Sequence, residues 1–351
     1  MLRVLPKSVG LIFAIALCAL PQTRYTGKAQ WLDNAKAVVT HTIDDSTKFV
    51  PASVDAMDKY GIKATIYVNT ASKTMDELWP RLRKAVADGH EIGSHSRTHP
   101  CKWPDTEEFC GGAYTDAEIA GSRDDILKNT PQPHVWSWCY PCGNCARYPF
   151  IQKRIAAAGY IVARNYQDEA KNGHLIPNLN TFAANAFDAA YTQVVQKKGG
   201  IAPTGNDDLP MLNAKFDEVY SAGAIYNFMS HPQWLDYGLD AFYEAHLRHV
   251  GNRGDVWYVP LGPLYAYREL RESAQIKDKG KRFEVSTPLD RKVYNGSITL
   301  EFRSKQTPVF NGTALVERTY RALMQWTGAF YRREGERLWV TIPPSGTLEF
   351  R

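Results

Sequence analysis

The sequence predicts an α/β protein built on a parallel sheet and followed by a small β-sandwich. Three observations carry this expectation. Short apolar strands alternate with helical stretches from about residue 37 to about residue 273, and repetition of that kind implies parallel strands joined by helices, in a sheet open or closed into a barrel. Carboxylates and imidazoles stand where apolar strands end, in Ala37–Asp45 and in Glu91–His99. Active sites of parallel α/β proteins gather at those C-terminal strand ends. Beyond about residue 276 the helical pattern stops, and short strands separated by turn sequences take over.

Taken in order, Arg3 and Lys7 precede the apolar run Val9 to Leu20, and Pro21 closes it. A basic segment before a short apolar one reads as a secretory signal peptide over residues 1–20. The run is shorter than a bilayer requires, so no membrane span is expected once the leader is removed. A secreted or periplasmic protein follows. Leu17 stands before Cys18 where a lipoprotein cleavage site wants a small residue, which disfavours lipidation. Removing Arg3 and Lys7 lowers the formal charge from +5 by two, to +3. That is too mild to argue for nucleic acid. The hydrophobic fraction of 44% against 23% charged residues supports a buried core.

The first strand, Ala37–Ile43, ends on Asp44–Asp45, carboxylates seldom placed inside a sheet. Ala64–Val68 is the second strand. Thr74-Met75-Asp76-Glu77 reads as a capping box opening a helix to about Asp88, with Gly89 as its stop. The strand Glu91–Ser94 runs into His95-Ser96-Arg97-Thr98-His99. Thr115-Asp116-Ala117-Glu118 is a second capping box, opening a helix to about Asn129. Val135–Cys139 and Ile161–Ala163 are strands, with a helix over about 149–158 between them. Residues 165–208 read as loop with short helical pieces. A helix Leu209–Ser221, a strand Ala224–Met229 ending at Ser230-His231-Pro232, a helix Asp240–Val250, a strand Val256–Val259 and a helix Gly262–Ser273 complete the alternation. This unit is expected to span residues 28–275.

Lys277–Lys281 reads as a charged linker. Residues 280–351 are expected to form the sandwich, with strands at Phe283–Thr287, Ile298–Phe302, Ala314–Glu317, Leu338–Ile342 and Thr347–Phe350. Asn295-Gly296 and Asn311-Gly312 mark turns between them, and both also begin glycosylation sequons. Among the cysteines, Cys101, Cys110, Cys139, Cys142 and Cys145 survive leader removal, and export favours disulfides. Five is odd, so either one thiol is left over or a bond is intermolecular, and the pairing stays open. Of the histidines, His246 and His249 read as surface residues of an amphipathic helix. His90 and His134 precede strands and His174 lies in loop. Alternation points His41 away from Thr42, which favours a structural role.

The remaining polar residues fall in order on successive strand ends: Asp44–Asp45, His95 and His99, Pro141-Cys142-Gly143, and His231. Two carboxylates and two imidazoles at neighbouring strand ends suit a divalent metal. Together these residues resemble the polysaccharide deacetylases of the NodB-homology fold, carbohydrate esterase family 4. The family's Thr-Phe-Asp-Asp is matched by Thr42-Ile43-Asp44-Asp45 except at Ile43, and its His-Ser/Thr-x-x-His by His95-Ser96-Arg97-Thr98-His99 in full. Its Arg-x-Pro-x-Gly stands as Cys139-Tyr140-Pro141-Cys142-Gly143, without the arginine, and its Leu-x-x-His as Phe228-Met229-Ser230-His231. The fourth motif, an Asp near a Trp, has no good match; Arg164-Asn165-Tyr166 lies roughly there.

The resemblance implies a distorted (β/α) barrel over about residues 37–270 and says nothing of the sandwich. It implies metal ligation by Asp45, His95 and His99, with Asp44 as general base and His231 as general acid. Three protein ligands leave a position open for water, which a hydrolytic site needs. The His/carboxylate set favours Zn²⁺. A backbone N–H among Tyr140, Pro141, Cys142 and Gly143 is expected to meet the oxyanion. Arg164 either supplies the guanidinium missing at Cys139 or is a surface residue paired with Asp168 or Glu169. The implied activity is removal of N- or O-acetyl groups from an acetylated carbohydrate. The alternative is a glycan-binding protein with a decayed site. Neither the particular glycan nor the oligomeric state follows from the sequence.

Overall fold

The computed structural model describes residues 23–164, 208–235, 237–238, 241–321 and 326–351. The expectations for the leader, for His174 and for most of residues 165–208 lie outside these residues. The chain enters with β1 (Arg24–Lys28), then β2 (Ala37–Ile43), α1 (Val50–Lys59), β3 (Ala64–Val68), α2 (Met75–Ala87) and β4 (Glu91–Ser94). Next come α3 (Glu107–Ala113), α4 (Asp116–Asn129), β5 (Ser137–Cys139), α5 (Pro149–Ala157) and β6 (Val162–Arg164). The unit ends with α6 (Asp208–Ala222), β7 (Ile225–Ser230), α7 (Phe242–Val250), β8 (Val256–Tyr258) and α8 (Leu261–Ser273).

A seven-stranded parallel sheet runs β6-β5-β4-β3-β2-β7, with β8 joined to β2. One edge of β2 pairs with β7. The other is shared, His41–Ile43 with β3 and Ala37–Val39 with β8. The outer strands β6 and β7 are not paired with each other among the described residues, so the barrel is incomplete and distorted. Crossover helices and apolar strand faces form one core around Val39, Ile66, Ile92, Trp138, Ala163 and Phe228.

Alternation of side chains along each strand assigns the opposite, inner face. On β2 it holds Val38, Thr40 and Thr42, and its continuation is Asp44. The same parity places His95 after β4, Cys139 on β5, Arg164 on β6, and Met229 with His231 at the end of β7. Helix α8 and Trp31–Leu32 plug the floor of this face together with Tyr67, Trp136 and Trp257. At that floor Glu91 accepts bonds from Thr65 Oγ1 (2.7 Å), Ser137 Oγ (2.8 Å) and the Gly262 N–H (2.9 Å). Gly93 is needed on β4 because a Cβ there would lie 2.5 Å from the Tyr67 ring.

The C-terminal strands are β9 (Gln275–Asp278), β10 (Arg282–Ser286), β11 (Ile298–Arg303), β12 (Pro308–Phe310), β13 (Thr313–Ala314), β14 (Val316–Arg318), β15 (Phe330–Glu334), β16 (Arg337–Ile342) and β17 (Gly346–Phe350). They form two five-stranded sheets, β1-β11-β16-β15-β14 and β13-β12-β17-β10-β9, around Phe283, Leu300, Phe302, Val340 and Leu348. Asn311 and Gly312 both adopt positive φ (50° and 82°) between paired β12 and β13, the two-residue hairpin turn expected of that dipeptide.

Several elements differ from the sequence expectations. The charged stretch from Lys277 is not a linker but a β9–β10 hairpin, with charges on an edge strand. Strand β1 pairs antiparallel with β11, so the described residues pass through the sandwich before entering the barrel. Buried Asp33 and Arg332 bind across the two parts at 3.2 Å. His246 is not on the surface. It is buried, bonded through Nε2 to the Tyr226 hydroxyl (2.9 Å) and through Nδ1 to Asn213 Oδ1 (2.8 Å), and burial pushes its imidazole down to about 3. His41 is structural, stacked on Phe228 and bonded to the Phe228 carbonyl and the Tyr243 hydroxyl, both at 2.8 Å. Neither capping box forms. Thr74 donates to the Ser46 carbonyl, and Glu118 turns away from its own helix start.

Candidate metal centre and active site

Asp45, His95 and His99 converge, with donor atoms within 4.8 Å of one another. His95 Nε2 lies 3.8 Å and His99 Nε2 3.6 Å from Asp45 Oδ1. A tetrahedral zinc ion with bonds of about 2.05 Å separates its donors by about 3.4 Å, and the two distances to Asp45 exceed that by a few tenths of an ångström. The tautomer also fits. His95 Nδ1 donates to the Cys139 carbonyl at 3.0 Å, which leaves the Nε2 lone pair facing the site. Burial and the neighbouring His95 push His99 down to about 4, so it is neutral at pH 7, the form that binds metals.

Local backbone shape aims these groups. Asp45, Ser96 and His99 all have left-handed φ, 75°, 67° and 59°. Each costs roughly 1–2 kcal/mol for a non-glycine residue and is held by its surroundings. The kink at Asp45 lets consecutive aspartates face different partners. Ser96 Oγ accepts from the His99 N–H at 2.9 Å. Asn69 donates to the His95 carbonyl at 2.7 Å, and Gln233 donates to Asp45 Oδ2 at 2.9 Å. Asn69 and Gln233 were not singled out in the sequence, since nothing marks an amide as a ligand's orienter before the fold is known.

Asp44 serves elsewhere. Arg164, fully buried at the end of β6, donates from Nη2 to Asp44 Oδ1. The same guanidinium reaches Cys139 Sγ at 3.0 Å and Met229 Sδ at 3.2 Å, with Cζ 5.1 Å from the Tyr67 ring centre. Burial alone would raise the Asp44 carboxyl. Arg164, His95 and His231 outweigh it and hold Asp44 at about 2. Arg164 therefore faces Asp44 from one strand over, in the space beside Cys139. The other reading, a surface arginine, does not hold. Burial pushes the Cys139 thiol well above its usual value. A second cluster, Asp44, His95 and Cys139, thus offers a protonated thiol and a carboxylate already bound to arginine, and does not suit a metal.

His231 follows β7 and is bracketed by the same charges. Burial pushes its imidazole below the usual value, while Asp44 and Asp45 pull it up. In the turn after β5, the Tyr140 N–H bonds the Arg164 carbonyl (3.1 Å) and the Gly143 N–H bonds the Tyr140 carbonyl (2.9 Å). Pro141 has no N–H. Of the four residues expected to meet the oxyanion, this leaves the Cys142 N–H outside these backbone bonds.

Cys142 sits at φ 54° and is disulfide-bonded to Cys101, while Cys110 is bonded to Cys145. Among the described residues the unpaired thiol is Cys139, at the position where the family pattern carries arginine. The Cys101–Cys142 bond ties the segment after His99 to the turn holding the Cys142 N–H. Cross-links closing loops this long contribute about 4 kcal/mol each in the chain-entropy description, less in sum because the loops overlap. Replacing Cys101 and Cys142 by serine is expected to lower both the melting temperature and kcat while metal content stays unchanged. Calorimetry, kinetics and metal analysis on one preparation check this.

Residues 32–163 match the family model for polysaccharide deacetylase. The match includes Asp44, Asp45, His95 and His99 and ends just before Arg164. Solved structures similar to this chain include a family 4 carbohydrate esterase from Streptomyces lividans, solved with acetate (15% identity, 62% of this chain and 86% of that one, TM-score 0.37). Others are the polysaccharide deacetylase Bc1974 from Bacillus cereus (12%, 61% and 85%, 0.37) and the Puue allantoinase (14%, 68% and 92%, 0.49). Over residues 32–163 the chain is thus similar to polysaccharide deacetylases, and the matched stretch runs through both strand-end motifs.

Proposed function

We propose that the protein is a secreted, metal-dependent deacetylase that hydrolyses N- or O-acetyl groups on a carbohydrate. The observation that carries this reading is the division of labour between adjacent aspartates. Asp45 joins two histidines while Asp44 is held off by a buried arginine. When bound by Asp45, His95 and His99, a divalent ion, Zn²⁺ by the chemistry of the donor set, polarises the acetyl carbonyl and acidifies water. Asp44, kept anionic by Arg164, takes a proton from the attacking water. The Cys142 N–H donates to the oxygen that gains charge at the acetyl carbon. His231 gives a proton to the departing amine or alkoxide, and its lowered pKa makes it the stronger acid once protonated. The products are acetate and the free amine or alcohol.

Catalysis is assigned to residues 28–275; residues 280–351 contain no His or Cys and are given no catalytic group. Export through the leader agrees with two disulfides, and no described helix is long and apolar enough to cross a membrane. Acetate release from a panel of acetylated chito-oligosaccharides, xylan and peptidoglycan, with and without chelator, tests the reading. Release abolished by chelator and restored by zinc supports it. Glycan binding with no acetate release on any substrate would favour the decayed-site alternative. His231→Ala is expected to lower kcat by roughly 10²-fold with metal still bound. Single-turnover kinetics beside metal analysis would expose a structural role, since that would cost folded protein or metal instead.

A further inference from the structure

We infer that Glu118 is a positioning residue for the paired histidines, holding the loop between them through its backbone. This rests on the ligand assignment proposed above. Glu118 lies in the first turn of α4, outside every motif of the family pattern. Its Oε2 accepts the N–H groups of both Arg97 and Thr98, each at 2.9 Å, and its Oε1 accepts the Thr98 hydroxyl at 2.8 Å. One side chain thus fixes the centre of the His95-to-His99 loop, whose flanks at Ser96 and His99 are in left-handed conformations. A carboxylate accepting three such bonds is a strong, directional restraint.

The rest of the helix face works with it. Glu118, Gly121 and Asp125 stand at i, i+3 and i+7, one stripe of α4. A Cβ on Gly121 would lie 3.1 Å from Arg97 Cδ, so glycine lets the arginine stem lie flat on the helix. Asp125 Oδ2 then accepts from Arg97 Nε at 2.9 Å and from Thr70 Oγ1 at 2.7 Å. Thr70 and Ala71 close the other side, donating to the carbonyls of Ser96 (3.2 Å) and Arg97 (2.9 Å). Asp125 reaches the loop only through side chains, those of Arg97 and Thr70. Glu118 alone on this face binds the backbone that sets where His99 stands.

The test is zinc affinity by chelator competition on the full chain, read beside the absorption spectrum of the cobalt-substituted protein and the melting temperature of the metal-free protein. Glu118→Ala is expected to weaken zinc binding about 10- to 100-fold and alter the cobalt bands. Glu118→Gln should bind nearly as well as the parent. Its oxygen accepts both N–H groups and its amide donates to Thr98 Oγ1, which is free to rotate. Asp125→Ala should have the smaller effect. Parental affinity and spectrum in Glu118→Ala would overturn the inference. So would a Glu118→Gln variant as weak as Glu118→Ala, because charge rather than position would then be at work. His99→Ala measured alongside separates the two levels: parental affinity there would refute the ligand assignment itself.

Discussion

Arg164→Ala is expected to lower kcat by roughly 10²-fold and to move the acidic limb of the kcat/KM profile to higher pH. Asp44→Asn should cost about 10³-fold, within the range for loss of a general base. The sign follows from the balance at Asp44. Burial raises its carboxyl, and Arg164, His95 and His231 bring it to about 2. Without the guanidinium the burial effect is less opposed, so the base is protonated at higher pH. A depressed pKa also links to folding. The contribution of Asp44 to stability is present above its ordinary value of 3.8 and is lost as pH falls through about 2. Removing one partner of a buried ion pair typically destabilises by about 3–5 kcal/mol. The informative companion is therefore Cys139→Arg with Arg164→Val, which returns the guanidinium to the position of the family pattern. Recovery of kcat and of the acidic limb in that double variant would show that the same function moved one strand over. A double variant no better than Arg164→Ala, in a folded protein, would make Arg164 a packing residue.

The site was legible where strand periodicity and chemistry coincide. Apolar runs ending in Asp44–Asp45 and in His95-x-x-x-His99 fix both the strand end and the face, because alternation leaves no other side for the charged groups. Arg164 was legible only as one of two alternatives. Its strand is short, and nothing local tells a buried guanidinium from an exposed one. The capping boxes misled because Ser/Thr-x-x-Glu records what a helix start can use. At α4 the glutamate found a better partner in the N–H groups of Arg97 and Thr98. His246 was misread for a related reason. Its helix is amphipathic, but Tyr226 and Asn213 satisfy both ring nitrogens and let the imidazole join the apolar face. Strand β1 has five residues, a glycine and no clean alternation, and its pairing lies far along the chain at β11. The β9–β10 hairpin was hidden by its charges, which suit an exposed edge as well as a linker.

Metal removal should be the more complete loss. The purified protein is expected to hold about one zinc per chain, and His99→Ala to bind it at least 100-fold more weakly, with kcat falling toward background. The geometry supports His99 as the most telling ligand to remove. His95 is buried and bonded to the Cys139 carbonyl, so its loss would also disturb the turn after β5. Asp45 is bonded to Gln233 and adjoins the base, so its loss would perturb Asp44. His99 is partly exposed, and its ring touches the site chiefly through His95 and Asp45. Alanine there removes a donor with little else. Dialysis against a chelator should abolish acetate release in the parent, and stoichiometric zinc should restore it. Added zinc should restore His99→Ala only at far higher concentration, because two donors remain. A His99→Ala protein with parental zinc content and affinity would remove His99 from the site.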